Sequence, residues 1–324
     1  MFSYCTQLCR LPPSGAASAR ARFFCVSPAR RGYHIHFYFL MDKGGVSMPH
    51  LRREQLAGMG IHYMYHSLDY FLECQQELGF KTIEMWCGRP HFLLDDHGYQ
   101  STSELKKKVE AHGLHIGVFT PECAMYNYLI CAHDEYARKR ALGYYTNGIK
   151  AAGEVGAKVM LTNCCGCDWN EDPERVFERA AGMLRTLAPI AADCGVTLAV
   201  ETVRPEESRM IIKLPELARL LKAVDHPNVK AALDLTAVGV AGETVKDWFE
   251  TLGSDIRHMH FVDGRPYGHL VWGDGLHPMA DYIELMNQYG YEGYLGQEIT
   301  DGRYFADPRE ADRRNIAAFE PFFV

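Results

Sequence analysis

From Leu56 to the C-terminus, a short apolar run and a longer amphipathic segment follow one another eight times. Strands that alternate with helical patterns form βαβ units, whose strands pair in parallel and are covered on both faces. The strands are expected at 56–62, 81–86, 115–119, 157–161, 196–201, 229–234, 256–260 and 293–298. The second of them reads as an alternation of apolar with polar residues. Helices are expected from Ser67 to Gly79, at about 103–112, 134–154, 173–193, 215–224, 245–252 and 279–289, and from Pro308 onward. Ser67 offers a cap, Pro173 a favoured first helical position, and Gly79 and Gly113 stops. Eight such units close a (β/α)8 barrel, whereas an open doubly wound sheet would want a G-x-G-x-x-G turn after an early strand, and the sequence has none. The expectation is therefore an α/β protein with a single (β/α)8 TIM barrel over residues 51–324.

Residues 1–50 stand apart. From Met1 to Met41 there is no Asp or Glu, while Arg10, Arg20, Arg22, Arg30 and Arg31 supply positive charge. That bias resembles an organellar transit peptide. The other reading is an upstream extension from a start placed too early, with Met41 or Met48 as the working start. The lack of a clear amphipathic period favours the extension, and the segment is expected to be poorly ordered. A formal net charge of -7 speaks against nucleic acid as the main partner. No run approaches the roughly 20 apolar residues of a membrane span, so no membrane partner is expected. Eleven Cys without regular spacing fit reduced thiols in a cytoplasmic protein. Cys164-Cys165-Gly-Cys167 contains a C-x-x-C spacing, but no second pair is placed to complete a zinc knuckle.

Strands five to eight end in Glu201, Asp234, His260 and Glu298. One carboxylate at a strand end can simply cap the next helix or pair with an arginine. Four metal-binding types at four consecutive strand ends are harder to dismiss. In a barrel all four project from one rim, where active sites of this fold lie, and neighbouring strands are only about 4.8 Å apart. Three carboxylates with one imidazole form a hard, oxygen-rich set that suits Mn²⁺ first, then Co²⁺ or Mg²⁺, better than a thiol-loving structural zinc.

The words LAVET, AALDLT, HMHFVDG and GQEIT around these four residues resemble the xylose isomerase-like barrel superfamily, and within it the ketose 3-epimerases. Glu84-Met-Trp-Cys-Gly-Arg-Pro-His91, Thr120-Pro-Glu122 with Tyr126-Asn127, and Pro205 with Glu207 are similar to that group's segments after strands two, three and five. Many ketose 3-epimerases carry a His three residues after the metal-binding Asp. Here that position is Ala237, which points to the fructoselysine branch and away from free-hexulose enzymes. The likeness runs from about Gly58 to the C-terminus.

The resemblance implies a metal-dependent isomerase that inverts C3 of a ketose or ketosamine through a cis-enediolate. Glu201, Asp234, His260 and Glu298 would hold the ion, and Glu201 and Glu298 would exchange protons with C3 from opposite sides. It further implies substrate contacts from Glu207, Arg265 and His269. The offset of Arg265 from His260 is one residue short of the commoner pattern, and His269 precedes a Gly273-Asp-Gly275 turn. Trp86 is expected either to stack on a sugar face or to pack at the rim. A homo-oligomer is expected by analogy. Inosose dehydratases and hydroxypyruvate-type isomerases share the scaffold and remain alternatives. An endonuclease IV-like nuclease is remote, because it needs further His ligands, including the one missing at Ala237.

Overall fold

In the computed structural model, which describes residues 50–124 and 127–324, eight parallel strands close on one another in sequence order. They are β1 (Leu56–Met59), β2 (Thr82–Cys87), β3 (His115–Pro121), β4 (Val159–Asn163), β5 (Thr197–Glu201), β6 (Val229–Asp234), β7 (Ile256–His260) and β8 (Tyr294–Gln297). β8 pairs back onto β1 through Leu56 and Leu295, so none of these strands keeps a free edge. The readings for the N-terminal segment before His50, and for Tyr126, lie outside the described residues.

The helices are α1 (Leu68–Glu77), α2 (Thr102–Ala111), α3 (Glu135–Val155), α4 (Pro173–Asp193), α5 (Leu214–Val224), α6 (Leu235–Ala241), α7 (Val245–Leu252), α8 (Met279–Gln288) and α9 (Pro308–Phe319). Their starts follow from the capping side chains. The Ser67 hydroxyl accepts from Tyr70 N, Asp134 accepts from Ala137 N, and Asp172 accepts from Glu174 N ahead of Pro173. α5 buries Leu214, Leu217, Leu220 and Val224, a spacing of three to four that places them on one stripe against the barrel. α3 ends where Gly156 takes φ +90°, a left-handed conformation that costs a glycine nothing.

Three elements depart from the expectation or add to it. β1 stops at Met59, because the chain turns into a 3₁₀ turn at Ile61–Tyr63. α6 was not anticipated; Asp234 caps it, its Oδ1 accepting from Thr236 N at 2.5 Å and Ala237 N at 3.2 Å. All six residues of β2 are buried, the polar Thr82 and Glu84 included. In a closed parallel barrel one strand face meets helices and the other meets the interior, so a polar residue in mid-strand points inward rather than to water.

The side-chain period of two then sorts the whole barrel. Leu198, Val200, Ala231, Leu233, Met259 and Leu295 face outward and join the main core beneath the helices. Val118, Val159, Leu161, Ala199 and Ala232 form a separate inner cluster with Tyr294 packed against it. Two residues further along each strand, the same parity reaches Thr120, Asn163, Glu201 and Asp234. On β3 to β6 the inner face is apolar lower down and polar at the mouth made by the strand C-termini.

Candidate metal centre and active site

Glu201 and Asp234 are the last residues of β5 and β6, and His260 is the last of β7. Glu298 lies one residue beyond β8, where Ile299 N donates to Gln297 O at 2.9 Å; this tight turn swings the carboxylate inward. Strand register aligns Asp234 with His260, and His260 with Gly296. One ligating atom from each of Glu201, Asp234, His260 and Glu298 lies within 4.8 Å of the other three. His260 is the hub. Its Nδ1 is 2.6 Å from Glu201 Oε1 and 3.0 Å from Glu298 Oε2, while its Nε2 is 3.1 Å from Glu84 Oε1.

Three carboxylates this close repel one another by about 4 kcal/mol per pair at 4 Å in an effective dielectric of 20. Positive charge is needed nearby, and histidines supply part of it. Burial works against charge on His260, yet Glu298, Glu201 and Glu84 hold its ring well above the usual histidine range. His269 behaves alike: burial opposes its charge, but Asp234 and Glu298 push it up to about 10. Its Nε2 is 2.7 Å from Asp234 Oδ2 and 3.1 Å from Glu298 Oε2, and its Nδ1 lies 3.2 Å from Thr300 Oγ1.

The carboxylates respond differently to one neighbourhood. Burial raises Glu201 to about 7, helped by Glu298 and Asp234 and opposed by His260. Burial also acts on Glu298, but His260 and His269 outweigh it and hold that carboxyl well below the usual range. Asp234 is lowered in the same way, with His269 overcoming its burial. A divalent ion fits this donor set. Glu201 Oε1 and His260 Nδ1 are buried, face each other at 2.6 Å and have no partner with hydrogen-bond geometry. Buried polar atoms left in this way call for an ion or a ligand.

The four other expected site residues divide. His269 is inside the cluster, 6% exposed. Its loop is organised by Asp263, whose carboxylate accepts from the N–H groups of Gly264, Gly273, Gly275 and His277. A Cβ at Gly275 would lie 2.1 Å from Asp263 Oδ1, which accounts for glycine in that turn. Glu207 is clasped by Arg204: Oε2 accepts from the Arg204 backbone N at 2.9 Å and Nε at 3.0 Å, and Oε1 accepts from Nη2 at 2.6 Å. That guanidinium also senses the charges of Asp234 and Glu298. Trp86 is 6% exposed, with its indole N–H donating to Glu122 Oε2 at 3.0 Å and its ring set edge-on to His91. Arg265 is not gathered in; its side chain is exposed, next to a cis peptide bond to Pro266.

Sequence reasoning missed His258, Asp263 and Arg204 as site residues and named Glu84 and Thr120 only within words similar to the family's. His258 was findable, since it precedes His260 by two residues and must share its face. Glu122 was noted only as part of a similar word. Burial raises its carboxyl, and Glu298 adds to the effect. None of the cysteines of the described residues forms a disulfide. No helix of the described residues is long and apolar enough to cross a membrane.

Residues 73–321 match the family described as xylose isomerase-like TIM barrel. The fructoselysine 3-epimerase of Shigella flexneri is 29% identical over 245 residues, covering 75% of this chain and 88% of the relative. The D-psicose 3-epimerase of Ruminiclostridium cellulolyticum is 26% identical over 250 residues, covering 74% and 82%. A solved structure of D-psicose 3-epimerase with D-tagatose, from Clostridium cellulolyticum H10, superposes with a TM-score of 0.68 at 20% identity and covers 82% of this chain and 99% of that one. The solved structure bears on the fold, and the relatives support an isomerase of the epimerase type.

Proposed function

The chain belongs to the xylose isomerase-like TIM barrel family, and on that footing we propose that it is a divalent-metal-dependent carbohydrate epimerase acting at C3 of a ketose or ketosamine, with fructoselysine-like compounds the leading candidates. One observation carries the reading. Glu201 and Glu298, on strands three places apart in the ring, reach the same nitrogen of His260 at 2.6 and 3.0 Å.

Glu201, Asp234, His260 and Glu298 would hold the ion, with Mn²⁺ first and Co²⁺ or Mg²⁺ as alternatives. When bound, the ion supplies the charge that stabilises negative charge building on the ketone oxygen and adjacent hydroxyl as the C3 proton leaves. The protein's own task is to take that proton on one face and return one on the other. Glu201 and Glu298 face the site from strands three places apart, so one would take the proton on its side while the other returns one from the opposite side. In the reverse direction the roles exchange. His269, hydrogen-bonded to Asp234 and ion-paired with Glu298, fixes the Glu298 oxygen that it contacts and leaves the other free for substrate. Glu207 and Arg204 form one charged wall of the mouth and would bind sugar hydroxyls. Trp86 would act through Glu122 by holding its carboxyl in place. Arg265, on its exposed loop, would reach only a substrate that extends out of the mouth. Cysteines without disulfides among the described residues support a reducing, cytoplasmic setting.

The test is to incubate metal-loaded protein with fructoselysine and candidate ketoses in D₂O and follow the products by NMR. Deuterium at C3 with inversion supports the reading. Exchange at C1 would reassign the protein to the hydroxypyruvate-type isomerases, and loss of water to the inosose dehydratases.

A further inference from the structure

Beneath the four-residue centre lies a second cluster that the proposed chemistry does not use. Glu84 on β2 reaches across the barrel interior to His258 and His260 on β7, and all three are 0% exposed. Glu84 Oε2 is 3.0 Å from His258 Nε2, and Oε1 is 3.1 Å from His260 Nε2. The Thr120 hydroxyl donates to the same Oε1 at 2.6 Å. Space for this group exists only because position 296 is a glycine: a Cβ there would sit 2.1 Å from Glu84 Oε2 and 2.9 Å from the His258 ring. A carboxylate in the middle of a buried strand is expensive unless it is paired on every side, so the arrangement calls for a specific role.

We propose that Glu84 is the positioning residue of the metal centre, accepting the Nε2 hydrogen of His260 and so turning the bare Nδ1 lone pair toward Glu201, Asp234 and Glu298. The inference rests on those four residues binding an ion. A neutral imidazole has one N–H and one lone pair, and the partner of one nitrogen decides the role of the other. Glu84 faces Nε2 and the carboxylate cluster faces Nδ1, so the ring offers its lone pair to the ion in only one tautomer. The Thr120 hydroxyl holds the same Oε1 in turn, which keeps the His260 ring from rotating. The trio Glu84, His258 and His260 also has donor atoms close enough to hold an ion of its own. The geometry favours a hydrogen bond at His260: its Nε2–Oε1 contact and the Thr120 contact have hydrogen-bond geometry, whereas Glu84 Oε2 and His258 Nε2 lie 3.0 Å apart without it, and His260 cannot ligate through Nε2 while ligating through Nδ1 unless it loses both protons.

The experiment titrates the purified chain with Mn²⁺ alone, without sugar, and reads the His260 tautomer by ¹⁵N NMR in the Mg²⁺ form. Wild type should bind one ion and show hydrogen on Nε2. Glu84→Gln should bind about 10- to 100-fold more weakly with the same stoichiometry and a mixed tautomer, the usual cost of removing a histidine's outer partner. Thr120→Val should move both readouts in the same direction by less, and it serves if Glu84→Gln does not fold. Asp312→Asn, in a separate buried network, should lower the melting temperature and leave affinity and tautomer unchanged, which separates positioning from general stability. Wild-type affinity and tautomer in both Glu84→Gln and Thr120→Val would overturn the proposal. So would two ions in wild type and one in Glu84→Gln, which would make the trio a metal site in its own right. A wild-type chain that binds no ion would remove the metal centre itself and the proposed function with it.

Discussion

Gly296 on β8 lies so close to Glu84 on β2 that one added methyl group would meet the Glu84 carboxylate at 2.1 Å. The absence of a side chain on one strand is thus what admits a buried acid from another. Gly296→Ala should force the Glu84–His258 pair to move, at a cost of about 1–3 kcal/mol, typical of overpacking. Both the melting temperature and the ion affinity should fall. A variant equal to wild type in both would mean that the pair gives way freely.

Glu298→Gln keeps the volume of the side chain and removes its capacity to take a proton. Turnover should fall by at least about 100-fold, the lower range for loss of a positioned acid or base. Deuterium incorporation at C3 should fall with it. Rates near wild type from Glu298→Gln, or from Glu201→Gln, would contradict the two-carboxylate assignment.

Ion binding should depend steeply on pH. Glu201 is pushed up to about 7 and His269 to about 10, and His260 is held above its usual range, so the free site carries protons near neutrality. A cation and the protons on Glu201 and His260 compete for the same atoms. Affinity is therefore lost as pH falls through 7, by about tenfold per pH unit for each proton released. Calorimetry in buffers of different ionisation heat, between about pH 6 and 8, counts those protons. An affinity flat across that range would show that neither Glu201 nor His260 gives up a proton to the ion.

Arg204 occupies both oxygens of Glu207, so the two should act as one unit. Arg204→Met and Glu207→Gln should each raise KM by roughly tenfold, matching a charge-assisted hydrogen bond of about 1.5 kcal/mol, and the double variant should be little worse than either single one. Steady-state kinetics decide the point. A fall in kcat at constant KM would place the pair in the chemical step instead.

Away from the mouth, Asp312 on α9 accepts from the Tyr63 hydroxyl at 2.7 Å and Gln75 Nε2 at 2.6 Å, and lies 2.9 Å from His62 Nε2. It ties the last helix to the segment after β1. Asp312→Ala strands three buried polar groups and should cost about 3 kcal/mol. Urea denaturation measures this, and a loss well under 1 kcal/mol would mean that water replaces the carboxylate.

The primary structure alone determined the order of elements, because each strand and helix is written in local periodicity and capping: Pro173–Asp193, Val229–Asp234 and Ile256–His260 fall where their own residues place them. It also determined the four-residue centre, since each member stands at or just beyond the end of its strand and barrel closure brings neighbouring strand ends together whatever the details. Only the tertiary structure decided the role of Glu84. In the sequence it is one polar residue in an alternating strand, indistinguishable from a solvated one. Its partners His258 and His260 come from the far side of the ring, and the space it needs comes from Gly296 on a third strand. The grip of Arg204 on Glu207, the cap of Asp234 on α6 and the hold of Asp263 on the His269 loop were likewise settled in three dimensions. Contacts between residues remote in sequence leave no periodic trace in the chain, and a single residue's type does not say which way its strand face will be turned.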